Sequence, residues 1–147
     1  MTAPLDDAKA SLRQQARACL QSIPMTERRS VAKRLCERLR EQHVWSAART
    51  VLLFAPLPDE PDAWPLLAVA IASGKLVGLP AFVPGTNGYT ARQILDPTRD
   101  LTTGQFGIRE PAATCPEVPL NRLDLVLVPG IAFDTRGGRL GRGKGYY

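Results

Sequence analysis

The sequence has little that would cross-link it, build a hydrolytic triad or anchor it in a membrane. Its three cysteines, Cys19, Cys36 and Cys115, are odd in number, widely spaced and free of any C-x-x-C pair. That spacing excludes a disulfide framework and a cysteine zinc site, and leaves three ordinary thiols. The single histidine, His43, has no partner for a Ser-His or Cys-His arrangement and reads as a helix-end residue. No apolar run approaches the roughly 20 residues of a membrane helix. The first residues, Met-Thr-Ala-Pro-Leu-Asp-Asp, place acids where a secretory signal carries a basic region. These absences predict a cytoplasmic protein without membrane association.

What remains is the composition of one soluble globular domain: 147 residues, 44% hydrophobic and 22% charged. The net charge of +5 is uneven. Residues 1–49 carry ten Lys/Arg against five Asp/Glu, and residues 50–147 carry nine of each. The excess therefore belongs to the N-terminal third, where it fits either a solvated helical face or an anionic ligand. A second concentration lies at the end, where Arg136, Arg139, Arg142 and Lys144 face only Asp134.

Periodicity orders the chain. Ala8, Leu12, Ala16, Cys19 and Ile23 recur at helical steps and predict a helix from Asp6 to about Ser22. Lys9, Arg13 and Arg17 stack along one side of it, four residues apart. A second helix, with Val31, Leu35 and Leu39 on its stripe, follows Pro24 and runs to about Gln42. The run Thr50-Val-Leu-Leu-Phe-Ala55 reads as a buried parallel strand, Trp64–Ala72 as a helix stopped at Gly74, and Leu76–Leu79 as the next strand. Tyr89–Leu95 reads as a more exposed strand. Residues 96–121, rich in Pro, Thr and Gly, read as one long connection, and Leu123–Val128 as another apolar strand. Strands alternating with helices predict an α/β domain with a mostly parallel sheet, whose ligands sit beyond the carboxyl ends of its strands.

Chemistry concentrates in Gly137-Gly-Arg-Leu-Gly-Arg-Gly-Lys-Gly-Tyr-Tyr147, which holds five glycines and three cations. Glycines let backbone N–H groups approach an anion, while Arg forks and a Lys ammonium neutralise phosphate oxygens. A phosphate-binding loop is the physical reading. It is not a P-loop, because Gly145 stands where the magnesium-binding Ser or Thr belongs, and the G-x-G-x-x-G dinucleotide fingerprint is absent.

Leu-Gly-Arg-Gly-Lys-Gly-Tyr-Tyr following Val-Pro-Gly-Ile-Ala-Phe-Asp resembles the signature of the 5-formyltetrahydrofolate cyclo-ligases, or methenyltetrahydrofolate synthetases. The resemblance extends through Ala8–Arg13, Asp59-Glu60, Gly74-Lys75 and the Gly107–Pro111 segment. It implies a three-layer α/β/α domain like those of sugar-phosphate isomerases and coenzyme A transferases. It further implies a monomer that closes 5-formyltetrahydrofolate to 5,10-methenyltetrahydrofolate with ATP and magnesium, and needs no nucleic acid.

Carried over by position, the resemblance assigns ATP binding to Lys9, Arg13 and the loop Arg139, Leu140, Gly141, Arg142, Gly143, Lys144, Gly145, Tyr146 and Tyr147. Arg142 and Lys144 take the catalytic role of stabilising the transferring phosphoryl group. Substrate contacts fall to Arg13, Ala55, Glu60, Arg142, Gly143, Lys144, Gly145 and Tyr146, with Glu60 on the pterin ring. Family members continue past the second tyrosine with an aspartate associated with magnesium, so the resemblance implies a chain incomplete at its C-terminus, with no metal ligand of its own. The alternative is a nucleotide- or RNA-binding module that keeps the Gly-rich loop and basic helices without the reaction.

Overall fold

In the computed structural model, which describes residues 3–144 and Tyr147, the apolar runs form the expected sheet. Its strand order is β3-β2-β1-β6, with β1 (Thr50–Leu52) parallel to β2 (Leu76–Val83) and to β6 (Leu125–Val126). β3 (Gly88–Ile94) is antiparallel to β2 through a hairpin. Asp124 fixes the start of β6 against β1, because one of its carboxylate oxygens accepts the N–H groups of Arg49 and Thr50, each at 2.9 Å.

Alternation along the strands sorts the two faces. Val51 and Leu53 point with Val77, Leu79 and Ile94 into the main core. Leu66, Leu67 and Ala70 of helix α4 (Trp64–Ala72) pack there, together with Cys36 of α2 (Met25–Arg40) and Trp45 of α3 (His43–Ala47). Burying each of the large aliphatic side chains contributes about 1.5–3 kcal/mol. On the opposite face Leu52, Ala91 and Val118 form a smaller cluster, and that face opens toward the site.

Helix α4 follows its predicted bounds, and the structure shows why it stops. The N–H of Gly74, at φ +81, bonds the Ile71 carbonyl and the N–H of Lys75 bonds that of Ala70, each at 3.0 Å, the paired bonds of a Schellman ending. Helix α1 (Ala3–Ser22) forms as periodicity predicted, yet Leu12 remains 49% exposed and none of the helix's described side chains is buried.

Four expectations are corrected. The first strand is regular only to Leu52, although the Leu53 N–H still bonds the Gly78 carbonyl at 3.0 Å. The second continues past Pro80 to Val83, paired with β3. The supposed long connection contains α5 (Pro97–Asp100) and a hairpin of β4 (Leu101–Thr103) and β5 (Arg109–Pro111). The predicted second helix breaks after Arg40, and Gln42 then caps α3, so His43 begins a helix. All three cysteines are free, Cys36 and Cys115 buried and Cys19 exposed. Among the described residues no helix is long and apolar enough to cross a membrane.

Candidate active site

The site lies at the carboxyl end of β1 and over the open face of β2 and β3, where Leu52, Pro80 and Ala91 line it. Beyond Leu52 the chain leaves the sheet as a loop that turns back on itself: the Glu60 N–H bonds the Leu57 carbonyl at 3.0 Å, and Glu60 Oε2 accepts the Leu57 N–H at 2.9 Å. This reciprocal pair holds a carboxylate whose side chain is only 7% exposed over the open sheet face.

The basic loop is shaped by a second hairpin, β7 (Ala132–Phe133) with β8 (Arg139–Leu140). Asp134 Oδ1 accepts the N–H groups of Arg136 and Gly138 at 2.8 and 2.7 Å, closing the turn. Any Cβ at Gly138 would collide with that carboxylate. Arg139 Nη1 donates to the Pro129 carbonyl at 2.7 Å, so this guanidinium braces the loop against the end of the sheet. From α1, Arg13 Nε donates to the Gly141 carbonyl at 2.9 Å, and a Cβ built on Gly143 would stand 3.3 Å from its guanidinium carbon. Gly143, at φ +95, has a backbone conformation that favours glycine, and a side chain there would also crowd the Arg13 guanidinium.

The two loops meet through Arg142. Its Nη2 donates to Asp59 Oδ1 at 2.6 Å and its Nε to Glu60 Oε1 at 3.3 Å, across more than 80 residues of sequence. Removal from water pulls the Arg142 pKa down, but the hydrogen bonds and charges of Asp59 and Glu60 outweigh that and raise it overall, so the guanidinium is a fixed cation. Together the loops wall a cavity of about 370 Å³. Arg139, Arg142 and Lys144 line it together with Glu60, Ala55, Tyr89 and Tyr147. Partial removal from water, then the Glu60 charge, push the Tyr147 phenol up to about 12; like any tyrosine it is a neutral hydrogen-bond donor at physiological pH, and 53% of it remains exposed. An apolar floor with cations at one rim and a carboxylate beside them suits a flat heterocycle carrying, or meeting, an anionic group.

Of the residues singled out from sequence, Ala55, Glu60, Arg139, Gly141, Arg142, Gly143, Lys144 and Tyr147 line this cavity. Arg13 braces the loop from behind, without forming part of the wall. Lys9 and Leu140 are not in the wall either; Lys9 lies exposed on α1, one turn before Arg13. Gly145 and Tyr146 lie outside the described residues. Sequence reasoning missed Tyr89, Ile108 and Arg109, which come from the β2–β3 hairpin and the β4–β5 hairpin. Gly107–Pro111 had drawn attention as a motif, and the pairing that brings it beside β2 was the missing information.

The sequence model of the 5-formyltetrahydrofolate cyclo-ligase family matches residues 6–147. The chain belongs to this family. It is 37% identical over 101 residues to a 5-formyltetrahydrofolate cyclo-ligase of Escherichia coli K12, covering 68% of this chain and 56% of that one. It is 26% identical over 153 residues to the cyclo-ligase of Mus musculus, covering 97% and 73%. The solved structure of Aquifex aeolicus 5,10-methenyltetrahydrofolate synthetase superposes with a TM-score of 0.82 at 31% identity, covering 95% of this chain and 69% of that one. The chain thus spans little more than half the length of its E. coli relative. The match supports the α/β fold with a mostly parallel sheet.

The resemblance also implied magnesium. Among the described residues no group of three or more His, Cys, Asp or Glu side chains comes together to hold a metal, and the carboxylates beside the basic loop, Asp59 and Glu60, are engaged with Arg142. The described residues therefore do not fit a protein-built magnesium site.

Proposed function

We propose that this domain carries out the ATP-dependent cyclisation of 5-formyltetrahydrofolate to 5,10-methenyltetrahydrofolate, as a cytoplasmic monomer. The observation that carries the reading is the convergence of Glu60 and the Arg139–Lys144 loop on one cavity. The reaction needs a place for a pterin edge next to a place for a phosphoryl group, and these two loops supply a carboxylate and cations side by side.

In this reading the formyl oxygen attacks the γ-phosphorus and ADP leaves. The second folate nitrogen then attacks the formyl carbon, loses its proton, and the C–O bond breaks to release phosphate. The protein's part is positioning and charge neutralisation. Arg142 and Lys144 face the charge that develops on the transferring phosphoryl group. Arg139 and Arg13 shape the loop, and Glu60 accepts N–H donors of the ring. Tyr147 supplies a neutral donor at the rim.

The test is formation of the methenyl product from 5-formyltetrahydrofolate, followed by its absorbance, with and without ATP. Product that requires ATP supports the reading. Folded protein that binds polyanions in a salt-sensitive way but makes no product sinks it in favour of a binding module.

A further inference from the structure

We infer that Asp59 is a positioning residue that aims the Arg142 guanidinium at the reacting phosphoryl group and keeps it aimed when a ligand engages Glu60. The inference rests on the reading under Proposed function and deepens it. Arg142 has two acidic partners, and their positions differ. Glu60 lines the cavity, its side chain is 7% exposed, and its bond to Nε is the longer one, at 3.3 Å. Asp59 does not line the cavity, its side chain is 40% exposed, and its bond to Nη2 is 2.6 Å. The short, charge-assisted contact therefore comes from outside the site, behind the guanidinium.

This arrangement resolves a conflict of duties. Glu60 already accepts the Leu57 N–H and the Arg142 Nε, so a ring N–H arriving at Glu60 competes with Arg142 for the same oxygens. An arginine held by Glu60 alone would have its one 3.3 Å bond weakened as the folate came to share that carboxylate, at the moment its charge is needed. Asp59 supplies a tether that the ligand does not contest. A side chain with four rotatable bonds loses its aim without such a tether, and a misplacement of about 1 Å can cost roughly 100-fold in rate. Asp59 touches neither substrate in this account and acts only through Arg142.

The experiment is steady-state kinetics of methenyl formation for the unaltered protein, Asp59→Asn, Asp59→Glu, Arg142→Ala and the double variant D59N/R142A, with thermal melts as controls. For D59N we expect kcat to fall roughly 10- to 100-fold while KM for the formylfolate stays within about 3-fold. D59E should recover most of the loss. On the R142A background D59N should change nothing further, because its route of action is already gone. D59S makes the same comparison with a smaller side chain, so the result does not hang on the folding of one variant. A kcat for D59N within about 2-fold of the unaltered protein overturns the inference, and so does an equal fractional loss with and without Arg142. Unaltered protein that makes no product overturns the parent reading and takes this inference with it.

Discussion

The carboxyl group of Glu110 occupies the space that the missing side chain of Gly104 leaves open: a Cβ at Gly104 would stand within 2.3 to 2.6 Å of Glu110 atoms. Gly104, the residue just after β4, leaves the room that this buried acid of β5 takes up. Glu110 is 8% exposed and its Oε1 has no partner among the described residues. Burial pushes its pKa above the usual carboxylate value, opposed by the N–H of Phe82. Gly104→Ala should therefore destabilise the protein by about 1–3 kcal/mol, the range for overpacking, measured by denaturant unfolding.

The same acid sets a pH dependence. The native state holds the Glu110 proton to higher pH than the unfolded chain does, so its contribution to stability is present below the ordinary carboxylate value and is lost as pH rises through the raised one. Glu110→Gln cannot ionise. The melting temperature of E110Q relative to the unaltered protein should rise as pH is taken from 4 toward 7, then level off. A difference that stays flat across that range would mean that Glu110 does not ionise differently in the two states.

Asp124 gives the opposite sign. Bonds from the N–H groups of Thr50 and Arg49 lower its pKa, so its contribution is present above the ordinary carboxylate value and lost as pH falls through the lowered one. Asp124→Ala should lower the melting temperature at pH 7, with the gap to the unaltered protein closing in acid. Its place at the start of β6 locates the effect in the central pairing, and amide exchange in β1 should quicken accordingly.

Much of this architecture is legible in the sequence, and the parts that are not share one physical cause. Helix α4 and the hydrophobic strands announce themselves because local pattern and tertiary burial agree, as in Leu66, Leu67 and Ala70 against Val51 and Val77. The β4–β5 hairpin does not, because each of its three-residue strands is too short to show alternation and its inward group is an acid. In the site, the Gly-rich loop is visible by composition, and Glu60 through its place in the family pattern. The bond from Arg142 to Asp59 spans 83 positions and involves two charged loop residues, which carry no periodic signal. The apolar stripe of α1 is a different case: periodicity reads it correctly as a helix, but among the described residues the burial that the stripe implies is slight.

Lys75 stands in a stretch that the family resemblance singled out, and its surroundings assign it to the fold. Its Nζ donates to the carbonyls of Trp45 and Ala48 at 2.7 and 2.6 Å and lies 5.5 Å from the Trp45 ring centroid, where it closes the end of α3. Hydrogen bonds from a charged group contribute about 1.5–3 kcal/mol each. Lys75→Met should lose stability on that order while leaving the affinity for ATP unchanged, as read by unfolding and by calorimetric titration.

Arg13 closes the account of the basic helix. Of the cationic row Lys9, Arg13 and Arg17, Arg13 makes the described hydrogen bond to the loop, from Nε to the Gly141 carbonyl, and its planar group packs where Gly143 leaves room. A lysine keeps the charge but has no Nε–H and no flat guanidinium to fill that space. If shape as well as charge holds the loop, Arg13→Lys should weaken ATP binding nearly as much as Arg13→Ala, by roughly 10-fold for the loss of one charge-assisted hydrogen bond. Amide exchange in the first turns of α1 should rise in both variants, because few other contacts dock that helix. Full ATP affinity in R13K would show that charge alone suffices, and would recast Arg13 as one member of a diffuse basic row.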